Sequence, residues 1–326
     1  MTVRSCILLI AVSAVAFLGA LLVGPAHLAP GEALAALFGE GPASVIVRDI
    51  RLPRALAAFL AGAALGASGA ALQGLLRNPL ADPGVLGVSS IAALGAVIAI
   101  YFNLAAAAFW LTPLAAIIAA LCATATLYAL GAGHLSPARL VLVGVGLSSL
   151  AGAAIALVMN LAPNPFILSD LVNWLFGAVT NRSFADIALT APFMAAGLAL
   201  ILLAAPGLSA LALGEETAAS LGADLVRTRT LAIGGAALMT GAAVALAGAI
   251  GFVGIVAPHL ARPLTGHDPG RAILPAALVG GAMLALADLV VRLLPFEQEL
   301  KLGVAAALIG APAFIAIAAR TQRIAS

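Results

Sequence analysis

The sequence is short of charge. Charged residues make up 9% of the 326 positions, fifteen Lys+Arg against thirteen Asp+Glu, whereas an ordinary soluble domain carries about 25%. So few charges cannot solvate a chain that is 63% hydrophobic, and a soluble globular protein is excluded. Cysteine is scarce too. Cys6 and Cys122 both sit in apolar runs, which leaves neither a disulfide framework nor a thiolate metal set. Four scattered histidines form no His-Glu-x-x-His pair, and no Gly-x-Ser-x-Gly occurs. The phosphate-cradling pattern GxxxxGK[ST] is missing, so the chain has no P-loop with which to hydrolyse ATP.

What the chain has is long apolar runs. A spanning helix needs about 20 mostly apolar residues. Runs at 6–24, 54–76, 85–104, 107–130, 139–161, 187–205, 229–249, 252–264, 273–292 and 302–319 predict an all-α polytopic membrane protein with about ten spans. The first run is long for a signal peptide and is read as a retained helix. The stretch 163–184 is too polar to span and predicts an external loop with a short interfacial helix anchored by Trp174 and Phe176. With both ends cytoplasmic, nine arginines fall inside: Arg4, Arg77, Arg139, Arg227, Arg229, Arg262, Arg271, Arg320 and Arg323. Six cations, Arg48, Arg51, Arg54, Arg182, Arg292 and Lys301, then fall outside, the sign of bias a membrane protein shows.

Glycine is plentiful, with 34 residues, many at small-xxx-small spacing such as Gly62/Gly66 and Gly241/Ala245. Small residues let helix backbones approach closely in lipid. A shift of 179 residues lays 62–70 on 241–249 and Pro79 on Pro258, which predicts two related halves, as transporters often have.

Polar residues gather in a few places. "RNPLADPG" (77–84) carries a cation, an amide, an anion and two prolines between apolar runs. "RDIRLPR" (48–54) places Arg51 and Arg54 just outside the second span, as snorkelling anchors or as a carboxylate-docking patch that Arg292 could join. "EETAASLG" in the cytoplasmic stretch 211–229 reads as a short helix with an acidic first turn, bounded by Gly214 and Gly222. Pro258 frees the carbonyl of Gly254 within a run, and His259 beside it is a hydrogen-bonding group or a proton carrier. Asp288 stands four residues before Arg292, which favours an ion pair on one helix face. A proton-driven transporter with Asp288 and His259 as relays is the rival reading.

Taken in order, "RLPR", "SGAALQGLLRNPLADPGVLGVS", "LALGEETAASLG", "ALAGAIGFVGIVAPHLAR", "ADLVVR" and "LIGAPAFI" resemble the FecCD-type permeases of ATP-binding-cassette importers, over about residues 48 to 316. The resemblance implies ten helices and a functional homodimer in the bacterial inner membrane. It implies two cytoplasmic ATPase subunits, which bind ATP and Mg while this chain holds no cofactor, and a periplasmic binding protein. It implies an iron-chelate cargo, ferric siderophore first, then haem or cobalamin. It assigns Arg51, Arg54 and Arg292 to binding-protein docking. Gly214, Glu215, Ala218, Leu221 and Gly222 fall to ATPase coupling. Asn78 and Leu80 fall to a cytoplasmic gate, and Ser148 and Ser149 to the translocation path. No residue is assigned to catalysis or metal binding. The chain departs from the family pattern at Lys301, where proline usually follows Glu-Leu, and at Ile91, where a glycine-alanine pair usually stands.

Overall fold

The computed structural model describes residues 3–26, 28–130, 137–295 and 299–325. Among them every regular element is helical. In chain order these are α1 (Val3–Leu22), α2 (Pro30–Ala36), α3 (Pro42–Val45), α4 (Leu52–Leu76), α5 (Val88–Tyr101), α6 (Leu111–Leu130), α7 (Pro137–Asn160), α8 (Pro165–Leu175), α9 (Phe184–Leu211), α10 (Glu215–Ser220), α11 (Leu225–Ala247), α12 (Val253–Ala261), α13 (Ile273–Leu293) and α14 (Leu302–Ala325).

Seven helices among the described residues are long and apolar enough to cross a bilayer, rather than the ten expected. They are α1, the continuous stretch Pro42–Leu76, α6, α7, α9, α11 and α13. For two of the other three the difference is one of length, while the third, α14, has its described apolar stretch at Leu302–Ile315. α5 has 14 residues and α12 has 9, about 21 and 14 Å at 1.5 Å per residue, too short for a hydrocarbon layer of about 30 Å. Each is preceded by non-helical chain, 77–87 and 248–252. Such backbone is tolerated at membrane depth only where protein covers it.

The second span begins earlier than its composition suggests. α3 runs into α4 through a π-helical turn, Ile46–Arg51, with Leu52 N–H donating to Val47 O five residues back. The wider turn changes the rotational phase of Arg51 and Arg54.

α4 and α11 form the buried centre, flanked by α9, α12 and α13. Glycines set the contacts. A Cβ on Gly62 would stand 2.1 Å from Gly280 O, and one on Gly66 2.2 Å from Ala276 O, so α4 and α13 touch backbone to backbone as small-xxx-small spacing requires. A Cβ on Gly241 would meet Ala120 at 2.7 Å. Of the 179-residue shift, 62–70 falls in α4 and 241–247 in α11, both largely buried, whereas Pro79 lies in the connection 77–87 and Pro258 inside α12.

The bundle has two ends. The start of α4 meets the end of α13 through Arg54 and Asp288, and Glu299 before α14 joins them. At the other end the last turn of α9 meets the segment before α13, where Ser209 Oγ donates to Asp268 Oδ1. α8 belongs to the first end, since Gly177 just after it accepts from Gly303 N–H. α10 belongs to the second, directly after α9.

Candidate functional site

At the α8 end, Arg51, Arg54 and Arg292 do not form the exposed patch expected of them. Their exposures are 4, 9 and 8%. The last carbonyls of α1 explain two of them, because a helix C-terminus leaves four carbonyls without helical partners. Arg292 Nη2 donates to Ala20 O (2.7 Å) and its Nη1 to Val23 O (3.4 Å). Arg51 Nη1 donates to Leu22 O (2.7 Å) and its Nη2 to Ala26 O. Both guanidiniums therefore cap α1, where cations also suit the helix dipole.

Arg54 is placed differently. Its Nε and Nη2 grip Asp288 at 3.0 and 2.8 Å. Asp288 also pairs with Arg292 Nε at 3.1 Å, the i,i+4 pair anticipated on α13. The opposite edge of Arg54 donates to Glu299 through Nη1 (3.2 Å) and Nη2. Asp288 is 1% exposed, while the Glu299 side chain is 36% exposed. Asp288 is thus the shared anion of two guanidiniums, a structural ion-pair centre between α4 and α13. His259 lies in the last turn of α12, on the way to the α10 end.

The same end holds a cavity of about 450 Å³ between α5, α6 and α8. Arg182, Lys301, Asp170, Asp186, Asn103 and Trp174 are among its lining. Burial lowers the pKa of Arg182, and Asp186 partly opposes this. α8 forms within 163–184 with Asn164 as its N-cap, accepting from Phe166 and Ile167 N–H. Of the two expected aromatic anchors, Trp174 departs from the expectation. Trp174 packs on the core, whereas Phe166 is 82% exposed and Phe176 also faces outward.

The connection "RNPLADPG" has a specific path. α4 closes with Arg77 in the left-handed region (φ 50°). Asn78 N–H reaches Gln73 O and Arg77 N–H reaches Gly74 O, the paired closure of a Schellman end. Asn78 Oδ1 then accepts from Leu80 N–H (2.9 Å) and Asp82 Oδ1 from Gly84 N–H (2.7 Å), two side-chain-closed turns in succession. Ser148, halfway along α7, donates to Gly84 O (3.0 Å). The connection therefore climbs from the α10 end into the middle of the bundle.

The gate and path candidates separate here. Asn78 is exposed and lines a groove of about 390 Å³ with Leu76, Ala138, Val141, Leu142 and Val145; Leu80 is half-buried and does not line it. Ser148 lines a second cavity, about 270 Å³, with Asp82, Ser89 and Ser90. Ser149 is exposed and does not reach it.

Gln73 was not singled out in the sequence, yet it resolves the problem Pro258 creates. Its Nε2 lies 3.3 Å from Gly254 O, the carbonyl the proline frees, and 3.4 Å from Ile255 O. Gly69, four residues earlier, permits the approach, since a Cβ there would lie 1.9 Å from Gly254 O.

At the α10 end, the capped helix forms as its residues dictate. Gly214 is the N-cap at φ 103° and Gly222 follows the helix at φ 83°. Ala223 N–H donates to Ala218 O and Gly222 N–H to Ala219 O, again a Schellman end. Two coupling candidates tie α10 to the bundle. Ala218 is fully buried, and Glu215 pairs with Arg229 at 2.8 Å. Leu221 is 67% exposed at the tip. Leu213 and Val226 are exposed beside it. These two lay outside the sequence candidates, although apolar residues in so polar a stretch were the available signal.

A multi-pass helical bundle with a short capped helix at one end and a buried arginine–carboxylate cluster at the other has the architecture of a transport permease. The chain belongs to the FecCD transport family, whose model matches residues 9–320, and it is an ATP-binding-cassette importer permease of that family. A vitamin B12 import system permease protein BtuC of Salmonella paratyphi A is 40% identical over 308 residues, 93% of this chain and 91% of that one. A cobalamin import system permease protein BtuC of Halobacterium salinarum is 42% identical over 277 residues, 84% of this chain and 73% of that one. YvrB of Bacillus subtilis, an uncharacterized ABC transporter permease protein, is 39% identical over 283 residues, covering 85% and 80%. Among solved structures, a metal-chelate type ABC transporter in an inward-facing conformation matches at TM-score 0.83 and 27% identity, covering 97% of this chain and 99% of the other.

Proposed function

We propose that two copies of this chain form the inner-membrane path of an importer for a metal chelate, served by two ATPase subunits and a periplasmic binding protein. The observation that carries the energy coupling is α10. It is short, capped at both ends and braced by Ala218 and the Glu215–Arg229 pair, so a push on Leu221 passes to α9 and α11 instead of being lost in a soft loop. Ten passes follow if α14 crosses as well and the connections before α5 and α12 complete those two crossings. The exposed face of α7, with Leu142, Val145 and Leu150, suits the axis between two copies. In this reading Arg54 is the docking cation, and Arg51 and Arg292 act by fixing α1 beside it.

The cargo we infer is cobalamin, ahead of ferric siderophore. The order expected from the sequence is reversed because two of the similar permeases named above carry cobalamin or vitamin B12 import in their names. The test is ATP-driven uptake into proteoliposomes holding the permease, its ATPase and its binding protein. Radiolabelled cyanocobalamin should accumulate and ferric hydroxamate should not. Accumulation of the iron chelate alone would reverse the choice, and uptake driven by a proton gradient without ATP would overturn the importer reading.

A further inference from the structure

We propose that Glu299 is a built-in competitor for the partner's carboxylate at Arg54, a clasp the binding protein must displace in order to dock. The inference rests on the docking reading of Arg54. A guanidinium offers donors along two edges, each matched to a carboxylate. Here the inner edge, Nε and Nη2, belongs to Asp288, which is 1% exposed and shared with Arg292. The edge an incoming acidic side chain could take, Nη1 and Nη2, is already closed by Glu299. The two carboxylates are not equivalent. Asp288 is walled in on α13, so it positions Arg54 and stays. Glu299 is exposed, outside any helix and two residues ahead of Lys301, where proline would have stiffened the chain. It is the ligand that can leave.

Docking on this geometry is an exchange of one carboxylate for another on the same guanidinium edge. An exchange gains less than a new pair and leaves no unpaired cation when the partner departs. The internal clasp therefore speeds release as well as weakening capture, which suits a binding protein that must cycle. It also screens the cation from stray acidic proteins.

Two variants decide it, measured on the permease–ATPase complex in nanodiscs with the cyanocobalamin-loaded binding protein of the same transport system. Glu299→Gln keeps the shape and removes the competing charge. It should tighten association about two- to fivefold, the worth of a partly exposed ion pair. Arg54→Gln should weaken it strongly. If Arg54→Gln leaves association unchanged, the docking reading itself fails. If Arg54→Gln weakens association but Glu299→Gln leaves it unchanged or weakens it, docking stands and the clasp is wrong. A readout without the binding protein keeps the two apart. Arg54 should react faster with phenylglyoxal in Glu299→Gln than in the native protein, by peptide mass spectrometry, and equal rates would show that Glu299 does not cover it.

Discussion

Asp288 answers two guanidiniums with one carboxylate, and that count sets its worth. Removing one member of a buried ionic group leaves the others uncompensated and costs about 3–5 kcal/mol. Asp288→Asn should therefore lower the thermal midpoint of the purified permease markedly, with Arg292 losing its carboxylate partner and Arg54 left with Glu299 alone. A midpoint within a degree or two of the native protein would mean that water reaches both arginines. The sequence made the Asp288–Arg292 pair legible, because both lie on one helix face. It could not show Arg54, which reaches the same carboxylate from 234 residues away. Gln73 teaches the same point. Pro258 announces a freed carbonyl in the sequence, but only packing shows which donor comes to meet it.

At the scale of the element, α10 is the part most fully written in its residues. Two glycines at positive φ, an acidic first turn and a small buried alanine specify a six-residue helix before any partner is considered. Its outward face is what the partner would use. Leu221→Glu should leave the permease folded, since the side chain is mostly exposed, yet abolish ATPase co-purification. Retained co-purification with full coupling would move the contact elsewhere. Helix length was less legible. Composition gave α5 enough apolar residues for a full span, while the run at 252–264 was already short and broken by Pro258; Gly87 at φ 76° and Phe252 at φ 68° stand at the starts of the two helices. A residue held in the left-handed region cannot be read from hydropathy, because hydropathy carries no φ.

For the whole molecule, the question is what closes the α10 end between transport events. Asn78 stands exposed beside α7, and Leu80 follows on the same tight turn. Replacing both by alanine should leave a folded, ATPase-bound complex whose proteoliposomes leak preloaded cyanocobalamin and whose ATP hydrolysis no longer tracks transport. Loss of expression would instead assign the pair to the turn alone. Arg77 holds that turn at φ 50°, so the segment serves as both a helix end and a boundary of the groove.

By itself the sequence determined the membrane, the helical class, the close glycine contacts and the shape of α10, because each depends on composition or on residues a few positions apart. Only the tertiary structure decided where the cations point. Arg51 and Arg292 turn to the last carbonyls of α1, and Arg54 divides its two edges between Asp288 and Glu299. Those partners lie 29 to 272 residues away along the chain, and in a medium with little water to satisfy a charge, an arginine goes wherever the packed helices leave an acceptor.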